Sequence, residues 1–239
     1  MVKIKRSITR FVGLHRWAAL LVAGALLTPG MLLADSNEEY EQGAKQYKEG
    51  DMAGAIAPLR KAVSAGNVKA MVMLAEILDY SEFNEDAVEL YRKAADRGDP
   101  GGMFGLGSMM ATGEGTKRDP AAARAWIEKA AKLGHTQAIR VMAQAYLKGE
   151  LGLAEKDRDT PEALHWVELA AKDNFLPAVD ALADAYRTGG ILGVSANAAL
   201  SEQFVAQGNK IRQIEPTSKS KKKKHSVASS QPAKVESVE

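Results

Sequence analysis

Cysteine is missing from all 239 residues. Its absence excludes structural disulfides, cysteine-ligated zinc, iron–sulfur clusters, a thiol nucleophile and an anchor built on an acylated cysteine. Long apolar runs are missing too, and with 26% charged residues the chain is too polar for a multispanning membrane protein. Histidine occurs four times, at 15, 135, 165 and 225. No two stand one helical turn apart as a metal-binding pair would, so no metal or cofactor is expected, and His135 and His165 are expected as surface or capping residues. Ser195 has neither a histidine nor an acid at motif spacing, so no catalytic residue is assigned. The glycines of Gly101–Gly107 follow no strand, which makes close helix packing a better account than a phosphate loop.

Acid is absent from the first 34 residues, which carry Lys3, Lys5, Arg6, Arg10 and Arg16. These bases precede an apolar run, Trp17–Leu27, then Thr28-Pro29-Gly30 and Ala34. The run is 11 residues long, about 16 Å as a helix, against the ~30 Å of a bilayer core. A basic stretch, a short apolar core and a helix-breaking turn make residues 1–34 a secretory signal peptide. The alternative is an uncleaved membrane anchor over Trp17–Ala34. Either way the charges stay inside and the remainder is exported, to the bacterial periplasm. Removal of the two basic ends leaves 21 bases and 28 acids over 35–215, a net of −7.

That body repeats itself. Arg60-Lys61-Ala62-Val63-Ser64-Ala65-Gly66, Arg92-Lys93-Ala94-Ala95-Asp96-Arg97-Gly98 and Glu128-Lys129-Ala130-Ala131-Lys132-Leu133-Gly134 share one pattern. Ala170-Ala171-Lys172-Asp173-Asn174 is a fourth copy and Phe204–Gly208 a decayed fifth. The marks at 66, 98, 134, 174 and 208 are spaced 32, 36, 40 and 34. Glycine and asparagine accept the left-handed conformation that ends a helix, so each mark is expected as a helix stop. Before each mark, apolar residues fall at spacings of three, four and seven, as in Ala123, Trp126, Ile127, Ala130 and Ala163, Trp166, Val167, Ala170. This places them on one helical face, and both tryptophans in the core. Asp119-Pro120 and Thr160-Pro161 each supply a cap and a proline for the first helical turn. The sequence therefore predicts an all-α, right-handed solenoid of about five helix–turn–helix units over 35–215.

The third unit, Gly113-Glu114-Gly115 with Asp119, Ala123, Trp126, Ala130-Ala131 and Gly134, resembles the Sel-one-like repeat family, relatives of the tetratricopeptide repeat with a longer, glycine-bearing turn. The resemblance extends over roughly 36–210, with an inserted turn at Glu150–Asp159 in the fourth unit. It implies a protein–protein scaffold without enzymatic activity. Its second implication is a cell-wall or β-lactam hydrolase, since some cysteine-rich secreted members are described as binding β-lactams. The nucleophile–base pairs that hydrolysis needs are not in this sequence.

Alignment of the first helices on Tyr47, Leu78, Met110, Tyr146 and Tyr186 brings Lys45, Glu76, Ser108, Gln144 and Asp184 to one position. Polar side chains there, among small and apolar neighbours, point to a solvent-facing stripe that lines a groove for a peptide or partner helix. Arg140 and Asp180, one turn earlier, extend it. The last segment, 216–239, holds Lys219, Lys221, Lys222, Lys223 and Lys224 among serines. With no apolar face it is expected to be disordered. Its charge suits an anionic membrane or cell-wall polymer, whereas a nucleic acid is not expected, because no aromatics interleave the lysines.

Overall fold

The computed structural model describes residues 29–227, with side chains over 36–214. Among these residues ten α-helices and two short 3-10 turns follow one another, with no strand. The helices pair as α1 (Pro29–Lys48) with α2 (Met52–Ser64), α3 (Val68–Tyr80) with α4 (Asn84–Asp96), and α5 (Pro100–Thr112) with α6 (Pro120–Lys132). α7 (Thr136–Lys148) pairs with α8 (Pro161–Lys172), and α9 (Leu176–Thr188) with α10 (Ala198–Val227). These are the five units predicted from the repeat marks.

Local chemistry explains where the helices start and stop. Asp51, Asn67, Asp99, Asp119, His135 and Thr160 each accept a hydrogen bond from the backbone N–H three residues on, filling an otherwise orphan donor. The Ala-Ala pairs have a backbone role at the other end. Gly98 N–H donates to the Ala95 carbonyl and Asp99 N–H to that of Ala94. Gly134 and His135 repeat this on Ala131 and Ala130, and Asn174 and Phe175 on Ala171 and Ala170. Each stop is thus a Schellman turn, with φ of 84°, 85° and 55° at Gly98, Gly134 and Asn174. The fifth mark is a correction. Gly208 is buried inside α10 and ends nothing. A side chain there would meet Asp180 and Arg212, so this glycine makes room for packing.

Two core clusters run along the solenoid. The first is built from α2 to α5, around Leu59, Leu74, Ile77, Tyr91 and Met109. The second is built from α6 to α9, around Ile127, Met142, Trp166, Val179 and Leu182, and takes in Leu192 of the 3-10 turn Ile191–Gly193. Met103 packs against both. Trp166 is 2% exposed, as the repeat register predicts. Trp126 departs from that expectation: it is only part-buried, packing against the edge of the first cluster with Lys129 Nζ 4.2 Å from its ring centroid. The glycines of α5 serve close packing. A Cβ on Gly102 would lie 2.5 Å from that of Ala94, and one on Gly105 2.3 Å from the Tyr91 ring.

Residues 1–28 of the expected leader lie outside the described residues, and the expected junction after Ala34 falls inside α1. At the other end, the α10 backbone stays helical to Val227, past residue 215 where the repeat body was expected to close; residues 228–239 lie outside the described residues. No helix among the described residues is long and apolar enough to cross a membrane.

Candidate protein-binding groove

First helices of successive units touch one another: α1 meets α3, α3 meets α5, and α7 meets α9. Among the described residues no two second helices come into comparable contact. Helices that approach on one side and spread on the other curve the stack, and the first helices lie on the inner side.

The polar position of the first helices faces solvent as predicted. Lys45, Glu76 and Asp184 are exposed, and Ser108 and Gln144 are half-buried. The residues just before them, Ala44, Ala75, Gly107 and Ala143, are buried, and Ala183 is half-buried. Small side chains there let the inner helices sit close to the layer behind. One turn earlier the stripe changes character. Val72 on α3 and Phe104 on α5 are part-buried and apolar, and Phe104 stacks on His135 with centroids 4.8 Å apart. The middle of the inner face therefore combines part-buried apolar side chains with polar rungs, a surface suited to an amphipathic segment.

Arg140 and Asp180 are committed elsewhere. Arg140 Nε donates to Asp173 Oδ2 at 2.9 Å, and the guanidinium lies 5.8 Å from the Phe175 ring. Asp180 accepts from Arg212 Nη2, at 2.6 and 2.7 Å to its two oxygens. Both pairs tie one unit to the next across 33 and 32 residues. Asn67 Nδ2 likewise reaches the Ser36 carbonyl and Arg97 Nη1 that of Gly66, each 31 residues away. All four span about one repeat length, so they hold unit against unit. Asp184 also has a partner, but a local one, Arg187 on the next turn. The side chains of Lys219 and Lys221–Lys224 lie outside the described residues.

Electrostatically the inner face is acidic towards its first units. Glu76 is exposed as a residue, yet partial desolvation of its carboxyl against the inner face holds it above its ordinary value. Burial does the same to Asp79, with the nearby Glu114 charge adding to it. Burial pushes up the Tyr91 phenol behind them, and the charges of Glu76 and Asp79 reinforce the shift. Tyr47, Met52, Glu76, Asp79 and Tyr80 enclose a depression of about 290 Å³. Asp79 and Tyr80 were not foreseen as site residues. The signal was present as a run of acids with no base, starting at Glu76. His135, by contrast, is the cap it was expected to be: its Nδ1 accepts from Ala138 N–H. Among the described residues no group of three His, Asp or Glu is placed to hold a metal ion.

Three Sel1 repeats match the chain, at residues 68–99, 100–135 and 136–175. Their limits coincide with the second, third and fourth helix pairs, so these three units are matched as Sel1 repeats. Among solved structures the chain is similar to c5321, a protective antigen of uropathogenic Escherichia coli strains with an SLR fold. Identity is 25% and the TM-score 0.63, over 73% of this chain and 38% of that one. It is also similar to a Sel1 repeat protein from Oxalobacter formigenes, at 25% identity and a TM-score of 0.58, over 72% of this chain and 70% of that one. The chain thus spans well under half of the Escherichia coli antigen. No curated protein matches it. Sel1 repeats generally mediate contacts between proteins.

Proposed function

We propose that this chain is an exported adaptor of the bacterial envelope that holds a protein partner along the inner face of its solenoid. The observation that carries this is the ladder Lys45, Glu76, Ser108, Gln144, Asp184. One polar position recurs in all five units and reaches solvent in each. Part-buried Val72 and Phe104 lie beside it. An extended peptide or a helix laid along the ladder would meet a polar rung at each unit and an apolar contact between rungs. The basic, short apolar leader supports export to the periplasm, with Asp35 as the mature N-terminus. Arg140 and Asp180 belong to the frame of the groove, since each is already ion-paired between units.

The test is a crosslinking pull-down from the native envelope fraction with wild-type protein and with the Glu76→Lys/Gln144→Lys/Asp184→Lys variant. Far-UV circular dichroism should be the same for both, because these side chains lie outside the core. The variant should lose the partner captured by the wild type. Equal capture by both proteins would overturn the groove, and a mature chain still starting at Met1 or Val2 by mass spectrometry would overturn cleavage.

A further inference from the structure

Charge is distributed unevenly along the solenoid. The first two units, 35–99, hold 14 acids and 8 bases, a net of −6 out of the body's −7. Between Lys69 and Arg92 stand six acids and no base. Glu76 and Asp79 are on α3, Glu82 is in the turn, and Glu85, Asp86 and Glu89 are on α4. Glu89 is paired with Lys93. No ion pair among the described residues engages the other five. The same turn carries two exposed aromatics, Tyr80 at 76% and Phe83 at 60%. The depression beside Tyr80 and Asp79 lies on one flank, and one of about 430 Å³ beside Phe83, Glu85 and Asp86 lies on the other. Carboxylates next to aromatic faces are surroundings that suit an ammonium group, through charge-assisted hydrogen bonds and cation–π contact.

The chain itself supplies the complement, at its opposite end. Lys219 and Lys221–Lys224 put five ammonium groups within six positions. They lie in the last turns of helix α10, which packs on α9 in the fifth unit. The acidic turn is in the second. A lysine run returning within one molecule would have to cross the two units between, whereas a second molecule can approach the turn directly. We propose that the acidic α3–α4 turn of one copy takes the lysine run of a second copy, so that the chains associate head to tail. Such a contact uses two different surfaces and leaves one of each unfilled, so association grows with concentration and does not stop at a closed pair. It shares the Glu76 end with the partner groove, but Glu82, Glu85 and Asp86 lie beyond the groove's rungs, on the turn and on α4.

Sedimentation velocity on the protein as purified tests this. Raising salt from about 0.01 M to about 1 M shortens the screening length from about 30 Å to about 3 Å. The wild type should sediment above its single-chain mass at the low salt and as single chains at the high salt. Two variants separate the halves: Asp79→Asn/Glu85→Gln/Asp86→Asn, and Lys219→Gln with Lys221–Lys224→Gln. Each alone should remain single at both salts. Mixed in equal amounts at low salt they should form a one-to-one complex, because each keeps the surface the other has lost. A wild type that stays single at low salt overturns the proposal. So does association that persists in the lysine variant, or a mixture that fails to combine. A wild type that stays single yet binds phosphatidylglycerol vesicles, with binding lost in the lysine variant, would assign the lysines to a membrane instead. A Gln144→Lys/Asp184→Lys pair, which leaves the acidic turn intact, should lose partner capture while all these outcomes stay unchanged, so the two ideas fail separately.

Discussion

The third and fourth units carry tryptophan at the same register, Trp126 on α6 and Trp166 on α8, yet the two indoles have different surroundings. Trp166 is 2% exposed and lies in the same core cluster as Leu192, which the 3-10 turn after α9 folds back towards α8. That turn is held by Asp159, whose Oδ1 accepts from the Leu192 N–H at 2.8 Å. The turn after α7 is tied to α6 differently, by Arg124 Nη1 donating to the Leu151 carbonyl at 2.8 Å. Leu151 and Leu153 in that turn are only part-buried. A repeat position therefore fixes which way a side chain points, and the turn of the following unit decides how deeply it is covered.

Truncation of the two tryptophans should break the symmetry most clearly. Trp166→Ala should cost about 3–5 kcal/mol, from lost burial plus the cavity left behind. Trp126→Ala should cost about half as much, because part of its ring already meets water and a lysine. Trp166→Phe sharpens the contrast. The Trp166 Nε1 finds no acceptor among the described residues, so phenylalanine gives up area without stranding a donor, and should retain most of the stability. Urea midpoints of the three variants check this. Equal losses for the two alanine variants would show that the turns do not set the burial.

The glycines of α5 are the next contrast. Gly102 and Ala138 are equivalent, 36 residues apart, and both are buried. A Cβ on Gly102 would sit 2.7 Å from the Ala95 backbone nitrogen, which cannot move aside as a flexible side chain could. Gly102→Ala should therefore destabilise by about 1–3 kcal/mol through overpacking, despite alanine's higher helix propensity. Ala138→Gly should cost about 1 kcal/mol, from propensity and lost packing. A stabilising Gly102→Ala would mean that α4 and α5 sit further apart than described here.

Most of the architecture was legible because its determinants are local. Stops at Gly66, Gly98, Gly134 and Asn174, caps at Asp119 and Thr160, and the apolar spacing before each stop all act within one or two helical turns. The outward direction of the ladder was legible for the same reason. Gly208 was misread because glycine has two uses, the left-handed stop and the close approach, and a sequence pattern does not separate them. The ion pairs of Arg140 and Asp180 leave no trace in the periodicity within a helix, because their partners lie one repeat further on. Aligning successive units and asking which charges fall about 32 residues apart would have found both. The acid run from Glu76 to Glu89 was visible in the sequence, but its meaning depends on Tyr80 and Phe83 being exposed beside it.

The smallest expected effect separates the helix caps of the same two units. Asp99 caps α5 and His135 caps α7. Asp99 accepts from Gly102 N–H through a carboxylate oxygen. His135 accepts from Ala138 N–H at 3.2 Å through Nδ1, so that nitrogen must be unprotonated. Burial lowers the His135 pKa, against the opposing charge of Asp99. The unfolded chain keeps the ordinary histidine value of about 6.5. Below that value the unfolded state binds the proton more readily than the folded one. The cap's contribution is therefore complete above about pH 6.5 and is lost as pH falls from there through the lower, folded value. His135→Asn keeps a capping acceptor and removes the titration. Urea midpoints measured from pH 7.5 to 5 should fall for the wild type by more than for His135→Asn, with the difference opening below about pH 6.5. Parallel curves for the two proteins would mean that the α7 cap does not depend on the protonation of His135.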